Sequence, residues 1–160
     1  MSDAVFKYDF TPHKTLLSNL KIGIVTAMWN SDVTSELYRG ALDTLISLGV
    51  SNKNVIELQV AGAFELPLGA SQLIHKSHCD GVIALGCVIK GDTPHFDYVC
   101  DGATQGIMTL MLATQKPIGF GLITTLNHQQ ALERTGGIHG HKGREAAETV
   151  LQQLIEYQNL

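Results

Sequence analysis

Apolar positions along this chain switch between two periods, and the switches mark the elements. The segment "KIGIVTAM" over 21–28 is short, apolar and rich in branched residues, which predicts a strand. Past "WNSD" the period changes. Val33, Leu37, Ala41, Leu45 and Leu48 fall on one face of a helix that Ser31 or Asp32 would cap and Gly49 would end. Residues 54–60 return to alternation, with Ile56, Leu58 and Val60 set against Glu57 and Gln59. After "AGAFELP" a short helix is predicted over 68–76. Residues 81–89 are apolar throughout, as expected of a strand covered on both faces. A long helix from about His95 then places Phe96, Val99, Ala103, Ile107 and Leu110 at helical spacing. "PIGFGLITTL" reads as a fourth strand. Asn127, with Gln130 three residues on, caps a helix expected to stop at Gly136-Gly137. A last helix from about Lys142 uses Ala147, Val150, Leu151, Leu154 and Ile155. Residues 1–19 follow neither period and contain Pro12, so an extended arm is predicted there.

Strands alternating with helices imply a parallel sheet wrapped on both faces. The organisation expected is an N-terminal arm over 1–20 and a single domain over 21–160. Such sheets bind ligands outside the carboxyl ends of their strands. That rule selects Trp29-Asn30, 61–65, 90–95 and 124–127. The net charge of -4 argues against a nucleic-acid or anionic-membrane surface. No apolar run approaches the length of a membrane span, and no signal peptide is visible. Cys79, Cys87 and Cys100 are odd in number without a C-x-x-C pair, which suits free thiols in the cytoplasm.

The selected segments hold the candidate chemistry. Gly91-Asp92-Thr93, between a strand and a helix, suits a phosphate cradle of backbone N–H groups plus a hydroxyl; taken alone, a plain turn with Thr93 as helix cap is the simpler and favoured reading. His95, in the first helical turn, can take up and return a proton near neutral pH, or bond a nearby carbonyl. Trp29, the only tryptophan, either stacks a planar heterocycle or packs in the core. Glu65 is a carboxylate on an apolar segment and needs a partner, which a polyhydroxylated ligand would supply. Arg134 and Lys142 flank "GGIHGH" and suit phosphate, although Arg134 also suits a helix C-terminus. His75, His78 and Cys79 lack the second half of a zinc site, so no metal is expected.

Taken together, "GAFELP", "GCVIKGDTPHFDYV", "PIGFGLITT" and "ALERTGG" followed by "GHKGREAA" resemble the 6,7-dimethyl-8-ribityllumazine synthase family, from Lys21 to Ile155. The resemblance implies a flavodoxin-like sheet of four parallel strands in the order 2-1-3-4. It also implies a cofactor-free, metal-free condensation of 5-amino-6-(D-ribitylamino)uracil with 3,4-dihydroxy-2-butanone 4-phosphate, a step of riboflavin biosynthesis. Carried over by position, Trp29 would stack on the pyrimidine, and Asn30 with Gly62, Ala63, Phe64 and Glu65 would hold the ribityl chain. Val88 and Ile89 would offer backbone bonds to the ring. Gly91, Asp92 and Thr93 would cradle phosphate, and His95 would move protons. Phe120, Arg134 and Lys142 would arrive from the adjacent subunit of a pentamer, with Arg134 on the phosphate. The resemblance also brings in the family's larger assemblies, decamers or an icosahedral shell, and riboflavin synthase as a partner. The arm would add to a neighbour's sheet.

Departures from the family pattern are Lys90 in place of arginine, Pro94 in place of a small polar residue, and His139 and His141 in the loop before Lys142. Two other readings compete: a Schiff-base lyase using Lys90 or Lys142, and a non-catalytic flavin-binding or shell protein. Borohydride trapping favours the first, and absence of product from the two purified substrates favours the second.

Overall fold

The strands form where the apolar runs lie: β1 (Ile22–Ala27), β2 (Val55–Val60), β3 (Gly81–Ile89) and β4 (Ile118–Thr125). In the computed structural model, which describes residues 7–160, they pair in parallel in the order β2-β1-β3-β4. Ile22 lies opposite both Val55 and Gly81, and Val82 opposite Ile118. The central strand β3 is buried on both faces because its alternate residues feed two cores. Ile83, Leu85 and Cys87 join one with α2 (Ser31–Leu48) and α6 (Lys142–Tyr157). Val82 and Ala84 join the other with α3 (Leu66–His75) and α4 (His95–Thr114). The result is a three-layer α/β fold with helices on both faces.

Local signals fix several boundaries. Gly49 ends α2 at φ 115°, a conformation that glycine adopts without Cβ strain, while Val50 N–H reaches back to the Leu45 carbonyl at 3.0 Å. Asn127 caps α5 (His128–Leu132): its Oδ1 accepts from Gln130 N at 2.9 Å, and Gln130 Oε1 accepts from Leu126 N at 2.9 Å.

Three expectations change. Residues 11–19 are not extended: Thr11–His13 make a 3-10 turn with Pro12 in its first turn, followed by the helix α1 (Lys14–Asn19). Pro12 starts this helical stretch because it lacks an N–H that the first turn has no use for. Phe10, Leu17 and Leu20 bury against the α2–α6 core, and Tyr8 Oη donates to Glu156 at 2.7 Å. The arm's first six residues lie outside the described residues. Second, α5 stops at Leu132, short of Gly136-Gly137, and the chain makes a small antiparallel ribbon, β5 (Thr135–Gly137) with β6 (Gly140–His141). Third, α3 begins two residues earlier than predicted, with Pro67 in its first turn.

Candidate active site

The carboxyl ends of β1, β2 and β3 open into one cleft of about 560 Å³, lined by Trp29, Asn30, Gly62–Glu65, Cys87, Val88, Ile89, His95 and Val99. Backbone pairing places these residues. The β1–β2 ladder continues past the strand ends, with Met28 N donating to Val60 O at 2.9 Å and Trp29 N to Ala61 O at 3.3 Å. This sets Trp29 beside the turn that follows β2. The residue is 74% exposed, which rules out the core alternative and leaves the aromatic side chain free at the cleft.

Asn30 takes a left-handed conformation, φ 58°, at the start of α2. A residue with a short polar side chain tolerates that conformation best after glycine. Its carbonyl accepts from both Val33 N and Thr34 N at 2.9 Å, so it occupies the cap position expected of Ser31 or Asp32. Its side-chain amide donates to the Cys87 carbonyl at 2.9 Å, tying the end of β1 to the floor at β3. Asn30 Oδ1 has no role in that bond and is available as an acceptor. Glu65 finds a partner inside the chain: Oε2 accepts from Gly62 N at 2.9 Å and closes the turn over 62–65. The carboxylate remains exposed, with acceptor capacity left for hydroxyl groups.

The loop over 90–94 runs exposed between two lining residues, Ile89 and His95. Lys90 N donates to Thr125 O at 2.8 Å, anchoring the loop to β4, and Lys90 Nζ lies 5.8 Å from the Phe96 ring centroid. Pro94, rather than Thr93, takes the cap position of α4, while Thr93 Oγ1 accepts from His95 N at 3.4 Å. A Cβ built on Gly91 meets nothing within 4 Å, so the loop borders open space. His95 is exposed at the head of α4, beside this loop.

Phe120, Arg134 and Lys142 do not line the cleft of their own chain. Phe120 lies on the edge strand β4, paired with Ala84 and 48% exposed. Arg134 Nη1 donates to the Gln130 carbonyl at 2.7 Å at the end of α5, and Lys142 Nζ pairs with Glu145 at 2.8 Å. The ribbon links these two cations, since Lys142 N donates to Arg134 O at 2.9 Å. Neither lysine proposed for a Schiff base sits in the cleft.

Burial pushes the Cys87 thiol at the cleft floor up to about 11, and the nearby Asp32 carboxylate adds to this, so the sulfur stays neutral. Among the described residues no cluster of His, Cys, Asp or Glu is grouped as a metal site, and all three thiols are free. The periodicity gave no hint of Asp32 and His128. Their side chains meet at 2.5 Å and join the N-terminus of α2 to that of α5, two turns separated by 96 residues. That contact holds the Asp32 carboxyl below the usual range.

Comparison with known proteins decides the family. The sequence profile of 6,7-dimethyl-8-ribityllumazine synthase matches residues 19–157. The chain belongs to this family. A 6,7-dimethyl-8-ribityllumazine synthase of Porphyromonas gingivalis is 50% identical over 84% of this chain and 83% of its own length. One from Parabacteroides distasonis is 47% identical over 92% of each chain, and one from Bdellovibrio bacteriovorus is 47% identical over 86% of this chain and 75% of its own. Within the lumazine synthase family, then, this chain supplies a cleft from the ends of β1, β2 and β3, and a separate ribbon between α5 and α6 that Arg134 and Lys142 flank.

Proposed function

We propose that the chain is a 6,7-dimethyl-8-ribityllumazine synthase that condenses 5-amino-6-(D-ribitylamino)uracil with 3,4-dihydroxy-2-butanone 4-phosphate in this cleft. The observation that carries the reading is the gathering of Trp29, Asn30, Glu65, Val88 and His95, from four separate segments, at one opening. Trp29 stacks on the pyrimidine, and the Val88 and Ile89 backbone bonds its edge. Asn30 and Gly62, Ala63, Phe64 and Glu65 hold the ribityl hydroxyls. Gly91, Asp92 and Thr93 receive the phosphate, although Pro94 gives that loop one N–H fewer. His95 accepts and returns protons as the amine and ketone form an imine with loss of water, phosphate leaves, and the ring closes with loss of a second water. Holding both substrates in register supplies most of the acceleration, because a bimolecular step becomes effectively intramolecular.

Phe120, Arg134 and Lys142 complete the neighbouring cleft in a closed pentamer, an interface in which different patches of each chain meet. Exposed Tyr98, Met108 and Leu112 on α4, together with Phe120, support burial of this surface by a second copy. Larger shells and contact with riboflavin synthase belong to the same reading. So do a single domain over 21–160 onto which the preceding segment packs through Phe10, Leu17 and Leu20, and a cytoplasmic setting, which the free thiols support. The test is direct: purified protein mixed with the two substrates should form lumazine far faster than the mixture alone. A rate equal to the protein-free control rejects the reading.

Two expectations arise from the assigned roles. Saturating pyrimidine or lumazine should quench the fluorescence of Trp29, and inorganic phosphate alone should not reproduce the full effect. Emission unmoved by saturating ligand removes the stacking role. Arg134→Ala should raise KM for the butanone phosphate about tenfold or more while changing KM for the pyrimidine little, since a guanidinium grips phosphate through two parallel bonds. Equal changes in both constants would mark Arg134 as structural.

A further inference from the structure

The ribbon that carries Arg134 and Lys142 is held through His141. This residue ends β6 and caps α6, where its ring Nδ1 accepts from Arg144 N at a long 3.4 Å. The half-buried ring packs on the bare backbone of α2 at Gly40. A Cβ added at Gly40 would come within 2.0 Å of His141 Cε1 and 2.3 Å of Nε2. Two residues on, α6 itself crosses α2 so closely that a Cβ at Gly143 would sit 2.0 Å from the Leu37 carbonyl oxygen. His141 also pairs with Thr135 across the ribbon, beside the Lys142–Arg134 backbone bond. The His141 imidazole thus packs on α2 and caps α6, beside Gly136 of the ribbon, while the His141 backbone pairs with Thr135.

We propose that His141 is a positioning residue: neutral, it holds the ribbon's Arg134 and Lys142 in place, and on protonation it releases them. The functional half of this statement rests on the synthase reading given above. The chemistry is that of the cap. Nδ1 accepts only while it lacks a proton, and an imidazolium at a helix N-terminus opposes the positive end of the dipole. The charged groups around the ring are Glu36 on α2, which pairs with Arg39, and Arg144 and Glu145 on α6, which pair with Glu148 and Lys142. The ribbon presents uncharged Gly136. Burial is the largest influence and lowers the His141 pKa below the ordinary histidine value; Arg144 acts in the same direction, whereas a backbone bond, Glu36 and Glu145 act against it. The sign follows. A histidine whose folded pKa is depressed stabilises the fold fully above the ordinary value, and that contribution is lost as pH falls through the folded one.

The test compares wild type with His141→Asn, a neutral cap that does not titrate in this range. Hydrogen–deuterium exchange of residues 133–145, corrected for intrinsic rate, is measured from pH 8 to pH 5.5. The loss of the ring shifts both pH values alike, so only the pH-dependent part counts. We expect wild-type exchange relative to the variant to rise about three- to tenfold on acidification, the scale of a lost cap. The ratio of KM for butanone phosphate, wild type over variant, should rise in parallel, which cancels titration of the substrate and every pH effect common to both proteins. If His141→Asn fails to fold, the wild-type segment measured against α3 of the same molecule replaces the comparison. A flat exchange ratio overturns the proposal, and a rising exchange ratio with a flat KM ratio overturns the positioning role. Exchange needs no turnover, so a protein that makes no lumazine at any pH rejects the synthase reading separately.

Discussion

His95→Ala is expected to fold and assemble as the wild type does, yet to lose roughly 10- to 1000-fold in kcat, with smaller changes in both KM values. The reason is position. His95 is exposed at the head of α4, lines the cleft, and follows directly on the 90–94 loop assigned to phosphate. On the proposed reading, an imidazole there serves the atoms that gain and lose protons as phosphate departs. His95 N donates to Thr93 Oγ1 through the backbone, so truncating the ring leaves that bond intact. Substrate alignment by the rest of the cleft survives the substitution, which is why the loss stays within the range of one acid–base group. Steady-state kinetics with both substrates varied, beside a thermal melt, separates chemistry from folding. Unchanged turnover removes His95 from the mechanism.

Much of this arrangement is legible in the sequence where one physical rule dominates. The unbroken apolar run of β3 means burial on both faces, and its bounds are as predicted because nothing else competes over 81–89. The Asn127–Gln130 cap and the Gly49 stop are local devices, readable from a few residues. The ligand-binding edge follows from parallel topology, so Trp29, Glu65 and His95 are foreseeable as neighbours. What is not legible depends on contacts between distant segments. The short helix over 14–19 forms because Leu17 and Leu20 find the α2–α6 core, not because its own residues demand a helix. The ribbon after α5 depends on the left-handed Gly136 and Gly140, at φ 113° and 76°, which as letters read only as a stop. Asn30's turn and the Asp32–His128 bond join residues 57 and 96 positions apart, beyond any local pattern. Phe120 enters the candidate set from family resemblance alone, Arg134 and Lys142 also from their charge beside the glycine loop, and one chain does not bring the three to its cleft.

The composite site makes a larger expected effect than any single substitution. If the proposed shared site holds, His95→Ala should spoil the cleft of its own chain, and Arg134→Ala the ribbon offered to a neighbour. Each variant alone should be nearly inactive at butanone phosphate well below the Arg134→Ala KM. Assembled together, some interfaces pair an intact cleft with an intact ribbon, a fraction of about one quarter for random equal mixing in closed rings. Co-refolding the two variants in equal amounts and measuring lumazine formation therefore tests the central claim, that the two substrates condense where one chain's cleft meets its neighbour's ribbon. Activity should recover towards a quarter of wild type, and mixing the preassembled variants without subunit exchange should recover none. Rings proven to be mixed, yet no more active than either parent, would contradict the account.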